Sequence, residues 1–273
     1  MRSEAPARWN PSDPDELGRL ADRVRPTTLA GERVLPVAEP LRPLLPAGLV
    51  RGTSVQVSGA REGLGSTSLA LALLAGPSAA GSWAAVVGVP SLGLPAAAGF
   101  GVDLGRLVLV APPAAGEWAT VVAALLDAFE VVLARPPAGG ARHADARRLA
   151  ARARERGSVL VRLGSPQAWP QAADVSLTVV ATAWEGLGRG HGHLRARRVT
   201  VAAGGRRGAD RPRRADLWLP GPGGVLASAP PTTPLAEVRP IQRPQPPPAS
   251  LPAPDVAART RPAPVPASRG SCA

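Results

Sequence analysis

Short apolar runs separated by helix-length segments dominate residues 53–163, and this rhythm constrains the fold more than any other feature. Residues 53–58 read as an alternating strand, 83–89 and 107–110 as buried strands, and 131–134 and 158–163 as further strands. Residues 66–74, 117–129 and 144–156 lie between them with helical spacing, and Gly76-Pro77 is the expected stop of the first helix. Strands alternating with helices imply βαβ units, so the expected fold class is α/β: a mostly parallel sheet flanked by helices on both faces. After residue 174 the pattern becomes strand, turn, strand. Residues 175–184, a turn around 186–192, and residues 193–201 predict a hairpin added to the sheet edge, with 216–219 as a last short strand.

The flanks differ from this core. Residues 1–40 are expected to form an N-terminal arm, with Ser12–Pro14 capping a short helix that carries Leu17, Leu20 and Val24 on one face. Residues 41–224 are the expected core domain. Residues 225–273 contain 13 prolines and little periodicity, so this tail is expected to be disordered and Pro-rich, as a linker or a docking segment. Hydrophobic residues make up 45% of the chain, enough for the core of one domain.

Charge narrows the partners. The net charge is +12, which favours an anionic partner, either nucleic acid or an acidic protein surface. All 32 basic residues are arginine, a bias that a GC-rich coding sequence produces without any function. The single cysteine, Cys272, rules out an intrachain disulfide. The N-terminal residues have no apolar core of the secretory kind, and no apolar run approaches the roughly 20 residues of a membrane span. A cytoplasmic protein with no membrane partner is expected.

One turn invites a chemical reading. After the 53–58 strand comes Gly59-Ala60-Arg61-Glu62-Gly63-Leu64-Gly65-Ser66-Thr67, and then a helix. A working phosphate loop needs G-x-x-x-x-G-K-[ST]: backbone N–H groups wrap the phosphates, lysine reaches the β/γ oxygens and the hydroxyl holds Mg²⁺. Here the outer glycines stand one residue too far apart, Ser66 replaces lysine, and Glu62 brings a negative charge. Two readings remain. Gly59, Gly63, Gly65, Ser66 and Thr67 form a vestigial nucleotide site that holds an anion weakly, or the glycines only make a tight turn.

The segment GVDLGRLVLVAPPAAGEWATVVAALLDAFEVVLARP, from Gly101, resembles the core of the RecA recombinase, and LLPAGLVRGTSVQVSG resembles the approach to its phosphate loop. Together, LPAGLVRG, TSLALALLAG, GSWAAVVGVPSLG and GVDLGRLVLV look like the actinobacterial ImuA-type, RecA-like proteins, over roughly residues 35–220. The resemblance implies a RecA-like sheet and a noncatalytic accessory role in DNA-damage-induced mutagenesis and translesion synthesis. It also implies an adaptor's partners, an ImuB-like protein and an error-prone DNA polymerase, and association with the nucleoid when engaged. Where the family's catalytic glutamate, Walker B aspartate and γ-phosphate-sensing glutamine would stand, this chain has Pro90, Ala134-Arg135 and Gly164-Ser165. No catalytic residue, no ATPase activity and no cofactor are therefore expected. Self-association, as in RecA, is left open.

Elsewhere, Arg189, Arg195, Arg197, Arg198, Arg206, Arg207, Arg211, Arg213 and Arg214 are opposed only by Asp210 between positions 189 and 214. Arginine with glycine suits sequence-independent phosphate contacts, so Arg189, Arg195, Arg197, Arg198, Arg206 and Arg207 are candidate nucleic-acid contacts in a direct DNA-binding alternative. A solvated surface or an acidic protein partner is the competing explanation, since the coding bias raises arginine everywhere. His191 and His193 form an H-x-H without a third ligand nearby, so no metal site is expected. An ATP-dependent recombinase is the remaining, enzymatic alternative.

Overall fold

The computed structural model describes residues 34–60, 64–187, 191–205 and 212–230. The N-terminal helix expected around Leu17 and all but the first residues of the expected tail lie outside them.

The strands are β1 (Val34–Leu35), β2 (Leu49–Val50), β3 (Ser54–Gly59), β4 (Ala84–Val87), β5 (Leu107–Val110), β6 (Val131–Ala134), β7 (Val159–Leu163), β8 (Val175–Leu187), β9 (Gly192–Gly205), β10 (Arg213–Trp218) and β11 (Ala227–Ser228). The helices are α1 (Ser66–Ala79), α2 (Leu94–Gly99), α3 (Trp118–Ala128) and α4 (His143–Arg156). Nine strands form one sheet in the order β11-β10-β9-β8-β3-β7-β6-β4-β5, while β1 and β2 pair separately. From β8 to β5 every neighbour is parallel; β9, β10 and β11 continue antiparallel. The fold is therefore α/β, with a mostly parallel sheet flanked by helices.

Both faces of the parallel part are covered by helices, and β4, β5 and β6 accordingly consist of apolar residues alone. On one face α1 and α2 pack over Val55, Val57, Val86, Leu133, Val161 and Leu163. On the other, α3 and α4 pack over Ala85, Val87, Val132, Ala134 and Leu160, with Trp118 and Trp169 edge to face at 5.4 Å. Asp127 ties the two helices together, accepting from Arg152 at 2.5 Å and Arg156 at 3.1 Å. The Arg152 guanidinium is held above its ordinary value by that hydrogen bond and charge.

Several boundaries differ from the sequence reading: β4 is shorter than expected, β8 and β9 are longer, and β10 lies earlier. α1 does not stop at Gly76-Pro77 but runs on to Ala79, with Pro77 in its last turn, where its missing N–H costs a single bond, the one to the Leu73 carbonyl. Gly76 is required for packing: a Cβ there would stand 2.5 Å from the Pro36 carbonyl oxygen and 2.7 Å from the Val37 Cα. Leu35 and Val37, assigned above to the arm, are buried in the α1-side core. Ala227 and Ser228, assigned to the tail, pair with β10 as β11.

β8 and β9 outrun their neighbours. β3 follows β8 only as far as Val179, and β10 follows β9 only from Arg198 to Ala203. The remainder is a two-stranded ribbon with register shifts at Val179/Ala181 and Glu185/Leu187, exposing Trp184, Leu187 and Leu194.

Candidate functional site at the glycine turn

β3 lies inside the sheet with β7 and β8 as neighbours, although the next strand along the chain is β4. The chain leaves β3, forms α1 and crosses to β4 beyond β7 and β6. Such a reversal of strand order opens a crevice at the carboxyl ends of the strands, where α/β sheets hold ligands. The glycine turn sits there. Gly65 has φ 98°, a left-handed conformation that needs glycine, and α1 begins at the next residue. No side chain caps this helix, so its first N–H groups and the positive end of its dipole face the turn.

The group that meets this turn is Arg197 of β9. Its side chain lies on the same sheet face as Val199 and Val201, towards α1, and Arg197 is only 8% exposed. A Cβ on Gly65 would stand 2.7 Å from the guanidinium carbon and from Nη2, and 2.9 Å from Nη1. Nη2 donates to Ser68 Oγ at 2.5 Å and Nε to the Leu219 carbonyl at 2.6 Å, while the Trp184 ring lies 5.0 Å from the guanidinium. Backbone bonds in both directions, Arg197 N–H to Pro220 O and Leu219 N–H to Arg197 O, each 2.7 Å, hold the residue in place. Burial lowers the guanidinium's pKa, and no carboxylate among the described residues pairs with it.

The sequence-derived candidates thus separate. Gly59 ends β3 opposite Val179, and Gly65, Ser66 and Thr67 form the turn and the first residues of α1; Gly63, Arg61 and Glu62 lie outside the described residues. Of the arginines, Arg195 is exposed on the ribbon. Arg197, expected as a nucleic-acid contact, is instead inside the protein, because strand alternation turns it towards α1 beneath Trp184. Arg198 points to the opposite face and bonds Asp216 at 3.2 Å and the Pro230 carbonyl. Arg189, Arg206 and Arg207 lie outside the described residues. His191 and His193 are exposed, and no group of three or more potential metal ligands occurs among the described residues.

The strand ends around the turn carry little chemistry. β4 runs into Gly88-Val89-Pro90, β6 ends at Ala134 before Arg135, and β7 ends at Leu163 before Gly164-Ser165. None of these residues is a carboxylate that could hold Mg²⁺ or orient a water.

A second buried arginine escaped the sequence reading. Arg162 of β7 is 4% exposed, stacks 4.6 Å from the Trp169 ring centre and donates to the Gln171 carbonyl at 2.6 Å. Burial pushes it down to about 10, against the opposing charge of Asp174. Its signal was present: one charge inside the apolar run VLVRL.

A family model described as the MT3502 N-terminal domain matches residues 43–171. That span holds β2 to β7 and the glycine turn, and ends before the ribbon that supplies Arg197. Uncharacterized protein Rv3395c of Mycobacterium tuberculosis is 36% identical over 121 residues, which are 44% of this chain and 56% of that protein. The chain thus spans little more than half the length of this curated relative.

Proposed function

We propose that this protein is a noncatalytic, RecA-like accessory protein of DNA-damage-induced mutagenesis, a fixed adaptor for an ImuB-like protein and an error-prone polymerase. The observation that supports it is Arg197. Its guanidinium fills the space against Gly65, held by Ser68 of α1 and by the Leu219 carbonyl just beyond β10. A turn that would open and close on a nucleotide is here joined to the ribbon by a buried side chain, and the surrounding strand ends lack carboxylates. The mostly parallel sheet, with the turn after an interior strand, accords with a RecA-like ancestry, as do the four segments quoted above.

Two measurements test the reading. Calorimetric titration with Mg²⁺-ATP is expected to show no micromolar binding, and turnover is expected to stay at background; either activity would overturn the noncatalytic part. Affinity capture from DNA-damaged, nuclease-treated cells is expected to recover an ImuB-like protein or a polymerase. Recovery that vanishes with nuclease would instead favour a direct DNA-binding module, for which exposed Arg195 on the ribbon is the supporting observation.

A further inference from the structure

The two edges of the nine-stranded sheet are finished differently. β11 is two residues long and leads into Ala229-Pro230, so it offers almost no template for another strand. β5 closes the other edge with Leu107-Val108-Leu109-Val110, and among the described residues only β4 pairs with it. Within the strand itself there is no charge, proline or bulge; Arg106 precedes it and Pro112-Pro113 follow it, which leaves four residues as the template. Leu109 is 42% exposed, and Leu104, in the 3-10 turn leading into β5, and Leu94, on α2 packed against that turn, are each 41% exposed. Strands of this kind recruit further strands through their free N–H and C=O groups.

Charge identifies the occupant. Across residues 90–113 the only charged side chains are Asp103 and Arg106, one acid and one base 3.6 Å apart, in a chain whose net charge is +12. Copies of so basic a chain repel one another, and they do so least at this neutral apolar edge. An acidic partner, by contrast, would find nothing here to steer it. The edge is also self-complementary. In an antiparallel register about Leu109, that residue opposes its own copy and Val108 opposes Val110, so each cross-strand pair is apolar.

We propose that β5 is an isologous dimer interface, at which two copies of the chain join their sheets edge to edge about a two-fold axis. The interface lies at the opposite edge of the parallel strands from β8 and the ribbon, leaving the ribbon free.

Sedimentation and light scattering of the nuclease-treated full-length protein, over roughly a hundredfold range of concentration, test this. A species of twice the 27.8 kDa chain mass is expected, with no growth beyond it. Leu109→Lys places two like charges face to face and is expected to weaken the dimer about tenfold or more. Val108→Pro removes an edge N–H and serves as the second variant. Leu187→Lys, at the 64% exposed ribbon position, is expected to leave the dimer intact. Thermal unfolding confirms that each variant is folded. A chain that stays monomeric, a dimer indifferent to Leu109→Lys but lost with Leu187→Lys, or open-ended growth with concentration would each overturn the proposal.

Discussion

Replacing Gly65 by alanine probes the contact on which the functional reading rests. Two costs arise. The left-handed backbone, φ 98°, costs an L-residue about 1–2 kcal/mol wherever it occurs. The new methyl would also stand 2.7 Å from the Arg197 guanidinium, which is pinned by Ser68 and Leu219 and has to withdraw. Losing one buried hydrogen bond from a charged donor adds about 1.5–3 kcal/mol. The expected total is about 2.5–5 kcal/mol, read from urea unfolding followed by tryptophan fluorescence. The double variant separates the two costs. In an Arg197→Ala background the steric part disappears, so Gly65→Ala should cost only about 1–2 kcal/mol. A coupling of about 1.5–3 kcal/mol between the positions is therefore expected; additivity within about 0.5 kcal/mol would show that Arg197 does not occupy the turn.

Other positions carry their own tests by the same unfolding assay. Gly157→Ala, at the left-handed cap of α4 with φ 68° and no atom nearer than the Arg51 Cβ at 4.0 Å, is expected to cost about 1–2 kcal/mol, the backbone part alone. Asp174→Ala removes the carboxylate that accepts from the Ser54 N–H at 2.9 Å and hydroxyl at 3.1 Å, and should destabilise by about 1–3 kcal/mol. Arg162→Met removes the hydrogen bond to the Gln171 carbonyl, the stack on Trp169 and the cation opposite Asp174, and is expected to destabilise by about 1–3 kcal/mol. Since the folded-state value of Arg162 is about 10, below its unfolded value, the unfolded chain binds more protons between the two. Wild-type stability should therefore gain on Arg162→Met as pH rises through 10, and a parallel pH profile for the two proteins would contradict this.

The parallel strands were legible because most of their residues are apolar and buried against helices; 107–110 and 131–134 match to the residue. Elements too short to carry a period were not. β1, β2 and β11 have two residues each and α2 has six, and tertiary packing defines them. Pro77 misled for a related reason, since a proline in a final helical turn has the same local sequence as one just beyond it. At the site, the glycine turn and its missing lysine were plain. The role of Arg197 was hidden, because R-A-R-R on a strand looks alike whether it faces solvent or a helix end. The partner that decides it, Ser68, is 129 positions away.

That distance bears on the order in which the molecule can be assembled. β3 is made early but pairs only with β7 and β8, so the centre of the sheet waits for chain well over 100 residues downstream. Loop closures of this length slow folding and leave β3 an open-edged strand on a nascent chain. The 43–171 segment matched by the family model contains β3 and β7 but neither β8 nor Arg197. Expressed alone, it would expose one side of β3 and leave Gly65 facing solvent. The turn is completed last, when the ribbon emerges and closes over it.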